Sequence, residues 1–277
     1  MKTKFTKTSI IWIALAILML NLSSCKDNVV EKGKTGLLLW ELTDDGVLTI
    51  SGTGEMLNYM YDDMSDFSDA PWYPYRHAVK TVVINNGVTH IGDFVFFDCY
   101  NLRAVSISNT VTSIGNFAFS ECSGLKSVII GNGVETIGDR AFAHCVNLKD
   151  ITLSNTVIYI GYYAFATCYS LTDISIPNSV TDIGDWAFYG CYDLKSITIG
   201  SSVRSIGWWA FSGINALTEM TVKATVPPTI DPYSFGVYVF GSFVNYTIPV
   251  YVPQESLELY KNADVWKEFT NLQGKVF

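Results

Sequence analysis

Between Val79 and Val222 apolar side chains recur in short alternating runs. Segments such as "LKSVII" and "LTDISI" place them at every second position over their latter half and favour β-branched residues, which predicts short strands. A second extended piece follows in each unit as V-x-x-I-G, where the glycine is expected to end the strand by taking a positive φ. The next piece, A-F-x-x-C, spaces Phe and Cys three apart, which predicts one turn of a short helix.

These pieces return in strict register. The Ile-Gly pair stands at Ile91, Ile114, Ile137, Ile160, Ile183 and Ile206, a spacing of 23 residues each time. Phenylalanines follow at Phe96, Phe119, Phe142, Phe165, Phe188 and Phe211, and leucines at Leu102, Leu125, Leu148, Leu171, Leu194 and Leu217. One such unit cannot bury its own apolar side, whereas stacked units bury each leucine on the next, with strands bonded at ~4.8 Å. The expected fold class is therefore a repeat solenoid, a right-handed curved stack of 23-residue units.

The stretch "LTDISIPNSVTDIGDWAFYGC", Leu171 to Cys191, resembles the BspA-like leucine-rich repeat, and the resemblance extends over Val79 to Val222. It implies parallel strands on a concave face, short helical turns on a convex face and, for some relatives, adhesion to host extracellular-matrix or cell-surface proteins. Two departures are Val95 in place of Ala and Ile214 in place of Cys.

The flanks read as caps, which a solenoid needs to keep water from its terminal cores. "LLLWELTDDGVLTISGTGEM" predicts a β-hairpin turning at Asp45-Gly46 within an N-terminal cap over 37–78. In the C-terminal cap, 223–277, a strand and a proline stop precede a helix offering Leu257, Tyr260 and Trp266. The chain begins differently, with Lys2, Lys4 and Lys7 before an apolar core, Ile10 to Leu20, too short to favour a membrane span needing ~20 residues. "LSSC" then resembles a bacterial lipobox. Residues 1–24 are thus expected to be a lipoprotein signal peptide, Cys25 the acylated membrane anchor and 25–36 a linker. The exported protein would sit in the cell envelope, lipid-anchored to the outer membrane and facing either the periplasm or the cell surface.

Loss of those three lysines carries the formal charge from −8 to −11, a balance unsuited to phosphate backbones, so nucleic acid is not an expected partner. The three histidines, His77, His90 and His144, belong to no nucleophile, metal or phosphate motif, and no catalytic residue, metal or cofactor is expected. Cys99, Cys122, Cys145, Cys168 and Cys191 form one column, one coil apart. Parallel side chains in such a ladder do not reach a disulfide torsion, nor do they converge on zinc. Buried free thiols filling space as small hydrophobes are the favoured reading, with a redox or metal role as the alternative.

Two surface columns remain. If alternate strand residues point inward, Ser106, Ile129, Thr152, Ser175 and Thr198 point outward, with Asp150 and Asp173 beside them and Arg103, Lys126, Lys149 and Lys195 forming a basic row. This face is either a polar surface kept soluble or a groove for an extended protein or glycan partner. The second column, two residues after each glycine, includes Tyr163, Trp186 and Trp209, with Trp208 alongside, and reads as edge packing or an aromatic platform for sugars. The expected function is a non-enzymatic envelope lipoprotein whose repeat face binds a protein, with a glycan-binding accessory protein and a structural spacer as alternatives.

Overall fold

The computed structural model describes residues 28–62, 67–230 and 246–277. Signal peptide and Cys25 lie outside the described residues. At the front, β1 (Val29–Thr35), β2 (Leu38–Thr43) and β3 (Val47–Gly52) pair antiparallel. Residues 29–35, expected as linker, are thus a strand. The mixture of Lys and Gly in "VVEKGKT" hides it, because β1 is an edge strand with mostly exposed side chains. The turn at Gly46 (φ 91°) joins β2 to β3.

The solenoid starts at β3. It continues through β4 (Gly54–Glu55), with a small hairpin of β5 (Tyr61–Asp62) and β6 (Phe67–Ser68) branching off. Each repeat then adds two strands, equal in length in the opening repeat and the second shorter than the first in every later one. These are β7 (Thr81–Ile84) and β8 (Val88–Ile91), β9 (Ala104–Ile107) and β10 (Ser113–Ile114), β11 (Ser127–Ile129) and β12 (Thr136–Ile137), β13 (Asp150–Thr152) and β14 (Tyr159–Ile160). The series ends with β15 (Asp173–Ser175) and β16 (Asp182–Ile183), β17 (Ser196–Ile199) and β18 (Ser205–Ile206), and β19 (Glu219–Val222) and β20 (Thr229–Ile230). All pair parallel from coil to coil, so the molecule is a parallel-strand solenoid of about 8 turns. The short strands form one uninterrupted ladder from β4 to β20, while the long-strand ladder breaks between β13 and β15.

Inside, every column stacks on itself. Phe119, Phe142 and Phe165 lie 5.2 and 5.3 Å apart with ring planes within 4°, and all the repeat phenylalanines are fully buried. Trp72 extends this row by one coil, stacked 5.6 Å from Phe96, its indole N–H donating to the Val95 carbonyl at 2.7 Å. At the far end β21 (Val250–Pro253), α1 (Leu257–Asn262) and β22 (Leu272–Lys275) close the core. There Tyr260 donates to the Ala224 carbonyl at 2.7 Å and Trp266 to that of Pro228 at 3.0 Å.

Two sequence expectations are corrected. The A-F-x-x-C segment is not helical. Residues such as Phe117 (φ 54°) and Glu121 (φ 61°) sit in the left-handed region and break any helical run. Its amides instead reach the next coil, Phe117 N–H to Asp139 O at 2.9 Å and Phe119 N–H to Ala141 O at 2.8 Å. A helix would turn those donors inward along its own axis and leave the stack unbonded on this side. The Ile-Gly glycines, in turn, do not adopt positive φ. They are small because the coils touch there: a Cβ on Gly161 would stand 2.6 Å from the carbonyl carbon of Gly138.

Candidate functional site

The long strands project alternate residues outward, and their pairing sets these in rows. Ser106, Ile129 and Thr152 are in register across β9, β11 and β13, as are Ser175 and Thr198 across β15 and β17. Arg103, Lys126, Lys149 and Lys195 stand exposed just before their strands. The first three are tied coil to coil, because Lys126 N–H donates to Arg103 O at 2.9 Å and Lys149 N–H to Lys126 O at 3.0 Å, whereas Lys195 N–H donates to Thr172 O at 2.7 Å beyond the break in the ladder. Asp150 pairs with Ser127, and Asp173 with Ser196. The two aspartates hold equivalent positions in consecutive coils on either side of the broken ladder, and like charges at opposed positions of neighbouring strands disfavour pairing there. Ile151 is only partly buried at this seam, whereas Val128 and Ile174 on either side are buried.

The aromatic column is a stack along the edge of the coils. Phe94 lies on Phe117 at 4.6 Å, Tyr163 on Trp186 at 5.2 Å and Trp186 on Trp209 at 5.0 Å with planes 5° apart. Arg140 fills the gap, its guanidinium 5.2 Å from the rings of Phe117 and Tyr163. The faces of these rings are therefore occupied by each other, as packing requires. Trp208 stands outside the stack and is 42% exposed.

Cys99, Cys122, Cys145, Cys168 and Cys191 are free and buried. Each of the last four donates its thiol to a phenylalanine carbonyl, from Cys122 to Phe96 O at 3.1 Å through Cys191 to Phe165 O at 3.3 Å. Burial pushes their thiols up, Cys191 to about 12. A group so far from its thiolate is a poor nucleophile or metal ligand near neutrality. Among the described residues no cluster of three or more His, Cys, Asp or Glu is placed to hold a metal.

Two arrangements were not read from the sequence. The residues after the Ile-Gly glycines carry side-chain acceptors for the next coil: Asn116 N–H to Asp93 Oδ1 at 2.6 Å, Asp139 N–H to Asn116 Oδ1 at 2.8 Å. The signal was the recurring "IGD" and "IGN". Second, His144 Nδ1 lies 2.9 Å from Thr167 Oγ1 and its Nε2 3.8 Å from Glu121 Oε1, linking three coils. Burial pushes the Glu121 carboxyl up, with His144 acting in the opposite direction. Both ionisable groups are about half exposed, so their pairing has the worth of a surface contact, ~0–1 kcal/mol.

Such a stack, with a periodic outer face and a core closed by apolar columns, defines a repeat scaffold of the kind that generally binds macromolecules along its surface. The chain belongs to the BspA-type leucine-rich repeat family, whose model matches in six copies over residues 73–192 and 158–247, more than half of its length. Among solved structures it is similar to a leucine-rich repeat protein of Treponema pallidum. That match is 26% identical, covers 69% of this chain and 85% of that one, and has a TM-score of 0.52. It also shares its fold with a leucine-rich cell surface protein of Faecalibacterium prausnitzii, 24% identical over 83% of this chain and 72% of that one, at a TM-score of 0.55. No curated protein matches it. Among the described residues no helix is long and apolar enough to cross a membrane.

Proposed function

We propose that the protein is an exported, non-enzymatic lipoprotein of the bacterial cell envelope, held by acylated Cys25, whose long-strand face binds an extracellular or envelope protein as an adhesin does. The observation that carries this reading is the exposed basic row of Arg103, Lys126 and Lys149 at one-coil intervals, with Lys195 two coils further on, beside outward hydroxyl and aspartate rows. Fixed spacing lowers the ordering cost of binding an extended partner, and paired rows of opposite charge set its register. Family membership and the description of the Faecalibacterium relative as a cell surface protein support the location.

Residues 26–277 should bind saturably to at least one immobilised matrix protein, and Lys126→Glu with Lys149→Glu should weaken that binding by about tenfold, chiefly through the association rate. Silence across a broad protein panel counts against the adhesin. For the anchor, Cys25→Ser should move the protein from the membrane fraction to the soluble one. Unchanged fractionation would remove the lipoprotein reading, and protease shaving of intact cells tells surface from periplasm.

A further inference from the structure

We propose a second binding site, independent of the long-strand face, that takes a neutral saccharide chain: an aromatic pair, Tyr162 and Trp208, with Asp185 between them. All three occupy the column of the side-chain ladder, where Asp93, Asn116 and Asp139 accept the next coil's amide. Asp185 keeps that role, receiving the Trp208 N–H at 2.6 Å through Oδ1. Tyr162 has no acceptor to offer there, so it gives up a coil-to-coil hydrogen bond that its column otherwise makes, and Trp208 stands at the last described position of the column. What replaces it is an outward ring.

The two rings stand two coils apart, about 9.6 Å at the usual strand spacing, roughly the span of two pyranose units. The aromatic stack behind buttresses both. Trp208 lies 5.8 Å from Trp186 and 6.0 Å from Trp209 at 72° and 76°, astride a pair already stacked on each other. Tyr162 rests 4.4 Å from Tyr163, with the Arg140 guanidinium 5.2 Å from its ring. Rings held in this way lose little freedom on binding. Asp185 also lines a cleft of about 400 Å³ together with Tyr159, Asp182, Gly184, Ser205 and Gly207. Flat aromatic surfaces suit the C–H faces of sugars, and the Asp185 oxygen that does not hold the Trp208 amide can accept a hydroxyl donor. The same carboxylates repel sulfated or uronic polymers, which makes the fitting ligand neutral.

The test is native affinity electrophoresis of the full-length protein, purified in detergent, through gels containing xylan, galactomannan, hydroxyethyl cellulose or laminarin, with poly-lysine as the cationic probe. The variants are Trp208→Asp and Tyr162→Asn, which restore the column's own residue types, and an unchanged circular dichroism spectrum and urea midpoint for each separates a lost signal from lost folding. Retardation by at least one neutral polymer is expected, unchanged at about 0.5 M salt and weakened about tenfold or more in the double variant. No retardation by any neutral polymer, or retardation that survives both substitutions, overturns the proposal. So does binding to poly-lysine alone that salt abolishes, which would assign the aspartates to a basic peptide instead.

Discussion

Replacing Gly161 and Gly190 separately by alanine sets two roles of glycine against each other. Gly161 has an ordinary φ, but its added Cβ would lie 2.6 Å from Gly138 C and 2.8 Å from Asp139 N, both backbone atoms that cannot rotate away. Gly190 has φ 68°, yet its nearest neighbour would be Thr167 Cγ2 at 3.6 Å, an ordinary contact. Glu121, His144 and Thr167 already hold the equivalent conformation in other coils. Gly190→Ala therefore meets only the left-handed penalty of ~1–2 kcal/mol, offset by ~0.4–1 kcal/mol from the stiffer unfolded chain. Gly161→Ala must push adjacent coils apart by several tenths of an ångström against short bonds, Gly161 N–H to Ile137 O at 2.9 Å and Tyr162 N–H to Asp139 Oδ1 at 2.8 Å. Weakening both in a packed site costs about 1–1.5 kcal/mol each, and overpacking adds about 1–3 kcal/mol, so about 3–6 kcal/mol in all. In urea, with a slope of ~3 kcal/mol/M, that is a fall of about 1–2 M in midpoint. Circular dichroism and tryptophan fluorescence should be followed together, and midpoints compared, because solenoids can unfold piecewise. A Gly161→Ala midpoint equal to or above that of Gly190→Ala would refute the close-contact account of this column.

The buried thiols predict alkaline sensitivity. Their folded values are raised, so the unfolded chain loses its thiol protons first, and stability falls as pH climbs from about 9 toward the folded value, which for Cys191 is about 12. Cys191→Ala should flatten the slope of stability against pH in that window by about 1.4 kcal/mol per pH unit; an unaltered slope contradicts the burial of that thiol. Native protein at pH 8 should take up alkylating reagent at Cys122, Cys145 and Cys168 only after denaturant is added, and rapid native labelling by mass spectrometry would oppose the ladder. Asp139→Asn keeps the acceptor for the Tyr162 amide and should shift stability by less than about 0.5 kcal/mol, whereas Asp139→Ala should cost about 1 kcal/mol. Equal effects of the two would show that charge, not the hydrogen bond, matters there.

The solenoid was legible because its core is written as columns, with Phe, Cys and Leu each recurring at one interval. The strands were legible because alternation maps directly onto inward and outward positions. The A-F-x-x-C segment misled because a three-residue spacing is shared by a helical turn and by successive tight turns. What separates them is the left-handed residue before each cysteine, visible in sequence only where it becomes glycine, at Gly190 and Gly213. The Ile-Gly glycine carries no label telling backbone contact from backbone freedom. Trp72 escaped notice because "APW" does not look like "AFxxC", although its ring fills the same row. The long-strand face could be laid out residue by residue, but the seam between β13 and β15 could not, because consecutive Asp150 and Asp173 look like any other pair in their column until the strands fail to pair.

Because each coil bonds only to the coils beside it, and the interval between them is a constant 23 residues from β7 to β19, the unit of this structure is also a unit of heredity. An in-frame duplication or deletion of one repeat's coding segment lengthens or shortens the rod by a single rung while both capped ends stay as they are. Gene lineages built on this plan can therefore change reach, and the number of repeated contacts they present, in one recombination event, without any of the compensating substitutions that an insertion into a closed globular core demands.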